Sequence, residues 1–346
     1  MAYTTIKKPS DYFNTKLYTG NGSTQSITGV GFQPDLVWFK VRSEAGSHRI
    51  VNAVRGNTKY LYPNTQDAEA TVTTNVTSFD SDGFSLGNGS VNENTRTYAS
   101  WNWLGGNGTV TNTDGATTST VSLNSTAGFS IVNYVGTGSA TTVGHGLGST
   151  PDFIMAKGDI ANNWVGYSPY LGNNSGLSFN DPTGFTGSHL WNTTDPTDTV
   201  FSLGAVGATN NNGTSNTAYC FKSVKGYSKF GSYNGNNNAT DGAFIYLGFK
   251  PAFLIVKDSQ SSQFWHMFDN KREPFNDDDA PHLAPNSSAS EATIRTDRGV
   301  AKLDFLSNGF KWRTDNSGFN GTNKYIYMAF AESPLVGTNN IPATAK

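Results

Sequence analysis

The chain has one cysteine, Cys220, in 346 residues. No intramolecular disulfide can staple it, so burial of side chains must supply its stability. Charge is scarce as well: Lys plus Arg number 24 and Asp plus Glu 26, for a net charge of −2. That balance excludes a basic field for nucleic acid or an anionic membrane surface. No apolar run approaches the roughly 18 residues that a membrane-spanning helix needs. The opening MAYTTIKKPSDYF places Lys7 and Lys8 before no apolar stretch, so it does not read as a secretory signal. The expectation is a product made in a cytoplasm and used elsewhere, without membrane insertion. No amphipathic helix of useful length is legible. The stretch from Glu291 to Phe305 reads as two strands around Arg298-Gly299.

What is abundant points the other way. Glycine supplies 38 residues and aromatics 13% of the chain, among much Asn, Thr and Ser. Disordered chains lack aromatic and β-branched residues, so short aromatic clusters between turn signals predict an all-β protein. Three copies of one pattern recur: GFQPDLVWFK at 31–40, LGSTPDFIMAK at 147–157 and LGFKPAFLIVK at 247–257. Around them lies a common order of events. A Tyr-x-Gly opening comes first and an aromatic segment follows the motif. Then comes a turn into Phe-x-Leu or Phe-x-Trp, and an aromatic closing strand. This predicts three tandem modules of β-sandwich or jelly-roll type. They are placed at 16–106, 128–227 and 228–337, after an N-terminal docking arm at 1–15. Residues 107–127, without aromatics, read as a linker, and 338–346 as a tail.

The motif has a structural logic. Pro34, Pro151 and Pro251 precede apolar runs, where a residue lacking an N–H belongs at the start of a strand. The glycine before each proline permits a sharp turn. Lys40, Lys157 and Lys257 close the runs and are expected to lie along the sheet with their ammonium groups in water.

Little in the sequence is arranged for chemistry. The histidines (His48, His145, His189, His266, His282) are scattered, with no metal-ligand spacing, nucleophile elbow or P-loop. Cys220, between Tyr219 and Phe221, reads as an inward strand position. Sandwich glycosidases need two carboxylates held close together, and the six glutamates (Glu44, Glu69, Glu93, Glu273, Glu291, Glu332) are unpaired. Asp80 and Asp82 are alternate and could share a face, although Asp82-Gly83 is also a hairpin signal. Asp277-Asp278-Asp279 could contribute to a structural calcium site or form a charged loop tip. No cofactor is expected. Trp164, Trp191, Trp265 and Trp312 are candidates for stacking on a glycan, with core filling as the alternative.

The Gly-x-x-Pro-Asp-Leu/Phe-Val/Ile-x-x-Lys element, the Tyr-x-Gly-Asn-Gly opening and Asp-Gly-Phe-Ser-Leu-Gly together resemble a known domain. It is a domain of unknown function common in structural proteins of marine tailed phages. The start MAYTTIKKPSDYFNTKLYTGNG is similar to the start of those proteins too. The second module departs most, with Ser149-Thr150 before its proline. The resemblance implies a virion location and a lectin-like sandwich, and it carries no catalytic residues. The expected function is therefore non-enzymatic: a tail fibre, head fibre or capsid decoration. It would form a homo-oligomer among other virion proteins. A host-surface glycan or receptor adhesin is the alternative, and a polysaccharide-degrading enzyme the weaker third reading.

Overall fold

The computed structural model describes residues 3–186, 189–272, 276, 278–299 and 301–336. The three lysine-closed runs form strands Leu36–Val41, Phe153–Gly158 and Phe249–Asp258. Every residue of the first two is buried. Their apolar residues are continuous because both faces of each strand are covered.

Each run occupies the same place in an antiparallel sheet, between a closing strand and a return strand. The closing strands are Thr97–Trp103, Ser215–Phe221 and Lys324–Pro334, and the return strands Arg49–Asn52, Val165–Tyr167 and Trp265–Asp269. An opening strand pairs with each closing strand: Phe13–Thr19, Phe129–Val135 and Ser228–Asn234. The registers are equivalent, with Lys40 opposite Ala99, Lys157 opposite Thr217 and Lys257 opposite Ile326.

Each of these inner sheets is backed by a small outer sheet, which makes three lobes. The outer sheets contain Gln25–Ile27, Gly83–Leu86 and Val76–Asp80 in the first lobe, and Thr141–Gly144 with Val200–Leu203 in the second. The third has Phe244–Tyr246, Gly309–Trp312 and Leu303–Leu306. The fold is all-β, built from antiparallel sheets with no barrel. No helix among the described residues is long and apolar enough to cross a membrane.

Side chains alternate between two kinds of core. Val37 and Phe39, Ile154 and Ala156, and Leu254 and Val256 point into the private core of their own lobe. Leu36 and Trp38, Phe153 and Met155, and Phe253 and Ile255 point the other way, into one core shared by all three lobes. Rings from different lobes meet there: Phe13 stacks on Phe330 at 5.0 Å, Phe153 on Phe230 at 6.2 Å, and Phe179 on Trp265 at 4.2 Å. The sequence predicts separate sandwich cores; the structure adds a joint one, which the inner faces of the three sheets create.

The glycine of each Tyr-x-Gly opening is fixed by a carbonyl. A Cβ on Gly20, Gly136 or Gly235 would lie 2.2, 2.3 or 2.0 Å from the carbonyl oxygen of Glu93, Asn211 or Gly321. The residue before each of those carbonyls is a fully buried asparagine, Asn92, Asn210 or Asn320. Its side chain both accepts from and donates to the opening turn. Gly235→Ala is therefore expected to destabilise the chain by about 3 kcal/mol, the upper range for overpacking. Denaturant unfolding checks this, and a midpoint equal to wild type would refute the account.

Several expectations are corrected. Residues 107–127 are not a free linker: Val110–Asn112 and Ser119–Asn124 pair into the second inner sheet. Thr-rich strands can lack aromatics where a neighbouring strand supplies the bulk. Residues 3–15 are not a separate arm. Phe13 opens the first sheet, Tyr3 Oη donates to the Gly248 carbonyl in the third lobe, and Thr4 Oγ1 donates to the Lys225 carbonyl just before it. The stretch 291–305 begins with a helix, Glu291–Arg298, because Ser290 caps it through the Thr293 N–H and Gly299 ends it at φ 79°. Pro251 sits at a bulge inside its strand, not at its start. The tail at 338–346, Glu273 and Asp277 lie outside the described residues.

The Asp of the motif has a role that spacing alone hides. Asp35 accepts the Gly105 and Asn107 N–H groups, where the chain leaves the first lobe. Asp152 likewise accepts the Ser223 N–H, where the chain leaves the second. The third copy carries Ala252 instead.

Candidate functional site: an open seam between two lobes

The three motif lysines are each 1% exposed, so their ammonium groups are not in water as expected. Each strand end is covered, and each Nζ donates to backbone carbonyls. Lys40 reaches Val41 and, in the third lobe, Ser288; Lys157 reaches Gly158 and Ile160; Lys257 reaches Asp258 and Ser261. Burial lowers their pKa values, to about 7 for Lys40 and about 8 for Lys157 and Lys257.

These lysines mark the seams between lobes. Two residues after Lys40, the Arg42 carbonyl accepts the Glu291 N–H at 3.1 Å. Two residues after Lys157, the Asp159 carbonyl accepts the Glu69 N–H at 3.0 Å. Both seams are reinforced: Gly46 N–H donates to Ser288, Asn162 N–H donates to Gln66, and Arg42 pairs with Glu291 at 2.7 Å. The corresponding carbonyl two residues after Lys257 belongs to Ser259. It accepts no hydrogen bond among the described residues.

In depth the third seam is joined where Trp265 Nε1 donates to the Ser178 carbonyl at 2.8 Å and its ring stacks on Phe179. Outward of that contact it opens into a cleft of about 600 Å³, lined by Tyr170, Ser175, Leu177, Gln260, Ser261 and Lys324 among others. Tyr170 is exposed. Lys324 Nζ lies 5.8 Å from the centre of its ring and donates to its carbonyl. Asp258 also borders the cleft but is wholly buried. Its carboxylate accepts from the N–H groups of Gln260 and Ser261, from Ser261 Oγ and from Asn323 Nδ2. It shapes the loop and has no lone pair left over for acid–base work.

The residues singled out from sequence do not assemble into this site. Trp164, Trp191, Trp265 and Trp312 are at most 2% exposed, which removes them as glycan platforms. Trp164 and Trp265 lie in the shared core, and Trp191 and Trp312 in private ones. Asp80 accepts from Ser78 and Ser85, whereas Asp82 accepts the Gly29 and Gly31 N–H groups, so the two carboxylates serve a hairpin and do not converge. Asp278 pairs with Arg313. Cys220 is buried, and burial raises its thiol pKa far from reactivity. His48 accepts from Trp38 Nε1 and His145 from the Leu147 N–H; burial holds both below the usual histidine range. No group of three or more His, Cys, Asp or Glu residues suited to a metal exists among the described residues.

Sequence reasoning overlooked Tyr170, Ser259 and Lys324. The one available signal was position: Ser259 stands two residues beyond a motif lysine, in the only copy whose following residues are Ser-Gln-Ser-Ser. No curated protein and no solved structure matches the chain. A family model described as a domain of unknown function, DUF7483, matches residues 8–334, a span that includes all three lobes and both walls of the cleft. The chain belongs to that family.

Proposed function

We propose that this chain is a structural protein of a tailed-phage particle and that its open seam receives a segment of a neighbouring virion protein. One observation carries the proposal. In two seams a strand-end carbonyl takes a backbone N–H from the adjoining lobe, and in the third the equivalent Ser259 carbonyl takes none among the described residues. An extended peptide entering the cleft would donate that N–H, in the manner of strand addition to a sheet edge. The cleft volume of about 600 Å³ suits a short segment. The virion address is supported by the motif resemblance and by a body with few charges, whose lobes are locked by a common core. A second copy of the chain or a different virion protein could supply the segment.

The test uses intact particles. A photo-crosslinking residue at Gln260, on the rim of the cleft, is expected to capture another particle protein. The same residue at the exposed Thr240 is expected to capture none. Loss of the protein on washing purified particles would refute the virion address. Retention without capture at Gln260 would refute the peptide cleft alone.

A further inference from the structure

The outer sheets of the lobes are equivalent in register: Ile27 faces Phe84, Val143 faces Phe201 and Ile245 faces Phe310. Each of these residues points into its private core. The residues on either side of them in sequence point outward. In the first lobe they are Ser26 and Thr28, both exposed, whereas in the second Gly144 is buried against Asn112. In the third lobe they are Phe244 and Tyr246, each 49% exposed. The first lobe folds with small exposed residues at these registers, so packing does not require the rings. Exposed aromatics that the fold does not need mark a contact surface.

The surroundings of the rings indicate the contact. Tyr3 lies beside Tyr246, and a Cβ on Gly248 would come within 2.8 Å of Tyr3 Oη and 3.5 Å of Tyr246 Oη. Lys229 Nζ donates to the Tyr246 carbonyl and lies 5.7 Å from the centre of its ring. Lys225 Nζ lies 4.5 Å from the centre of the Tyr3 ring. Neither lysine pairs with a carboxylate among the described residues, whereas nearby Lys311 is neutralised by Asp241 at 2.5 Å. The patch therefore offers flat rings on a rigid strand, with two uncompensated positive charges beside them.

We infer that Phe244 and Tyr246, with Lys225 and Lys229, form a binding platform for an acidic saccharide. The rings would stack on the C–H faces of pyranose units, and the ammonium groups would pair with their carboxylates. This site is separate from the seam and does not rest on the proposal made for it.

The test is calorimetric titration of the full chain with oligogalacturonate and, as the uncharged counterpart, cello-oligosaccharide. Oligogalacturonate is expected to bind at least about tenfold more tightly. The double variant Phe244→Ser with Tyr246→Thr installs the first lobe's residues, so its melting temperature should match wild type. Its affinity should fall by at least about tenfold. Lys225→Gln should weaken binding and reduce its dependence on salt. Tyr170→Ala, in the cleft, should leave it unchanged. The inference is overturned by no binding, by equal binding of both saccharides, or by undiminished binding of the double variant. It is also overturned if the double variant sediments as a smaller species, since the patch would then join copies of the chain.

Discussion

Replacing Phe330 by alanine is expected to destabilise all three lobes at once, by about 4 kcal/mol. At this chain length that corresponds to a fall in melting temperature of about 5 °C. The reason is location. The Phe330 ring lies 5.0 Å from Phe13 and 5.7 Å from Trp103 of the first lobe, and 6.0 Å from Phe221 of the second. Within its own lobe it also meets Phe230 at 5.8 Å. Truncation opens a cavity at the meeting point of three sheets, which no single sheet can close by shifting. Calorimetry should give one transition, displaced as a whole. Separate transitions, with only one displaced, would show that the lobes melt independently and that the shared core couples them weakly.

Stability should rise with pH from about 6 to about 9.5, by about 7 kcal/mol in total. Lys40, Lys157 and Lys257 release their protons near pH 7 to 8 in the folded chain, because burial disfavours their charged forms. In the unfolded chain they keep them to about pH 10.4. Between those limits the unfolded chain binds more protons, so raising the pH favours folding. Acid acts in the same sense, since burial lowers His48 far below its ordinary value and His282 to about 4. Above about pH 10 the trend should reverse. Tyr18, Tyr134, Tyr227 and Tyr233 are pushed up by burial, and only the unfolded chain then ionises them. Denaturant titrations across this range measure the profile, and Lys40→Met should flatten its rising limb. A level or falling profile between pH 6 and 9.5 would contradict the buried amines.

Much of the strand content was legible because aromatic and β-branched clusters are short and turn-bounded. Phe129–Val135, Val200–Leu203 and Lys324–Pro334 form where such clusters predict them. The helix Glu291–Arg298 was not, since it is capped by Ser290 and has few apolar residues to reveal a period. The lysines were misread for a physical reason. A lysine at the end of a strand normally reaches water, and only the arrival of a neighbouring lobe, invisible in one sequence, encloses it. The tryptophans illustrate the same limit, because nothing local distinguishes Trp265 on a surface from Trp265 stacked on Phe179. The cleft was illegible because it is defined by a bond made twice and, among the described residues, missing once.

The shared core also constrains how such a chain can change over generations. Open solenoids lengthen by stacking another unit on a free end. Here the inner faces of three sheets share one core, and each lobe contributes rings to it. A deleted lobe would expose those rings to solvent. Loss of a lobe is thus costly, so variation among relatives should accumulate in the outer sheets and the third seam.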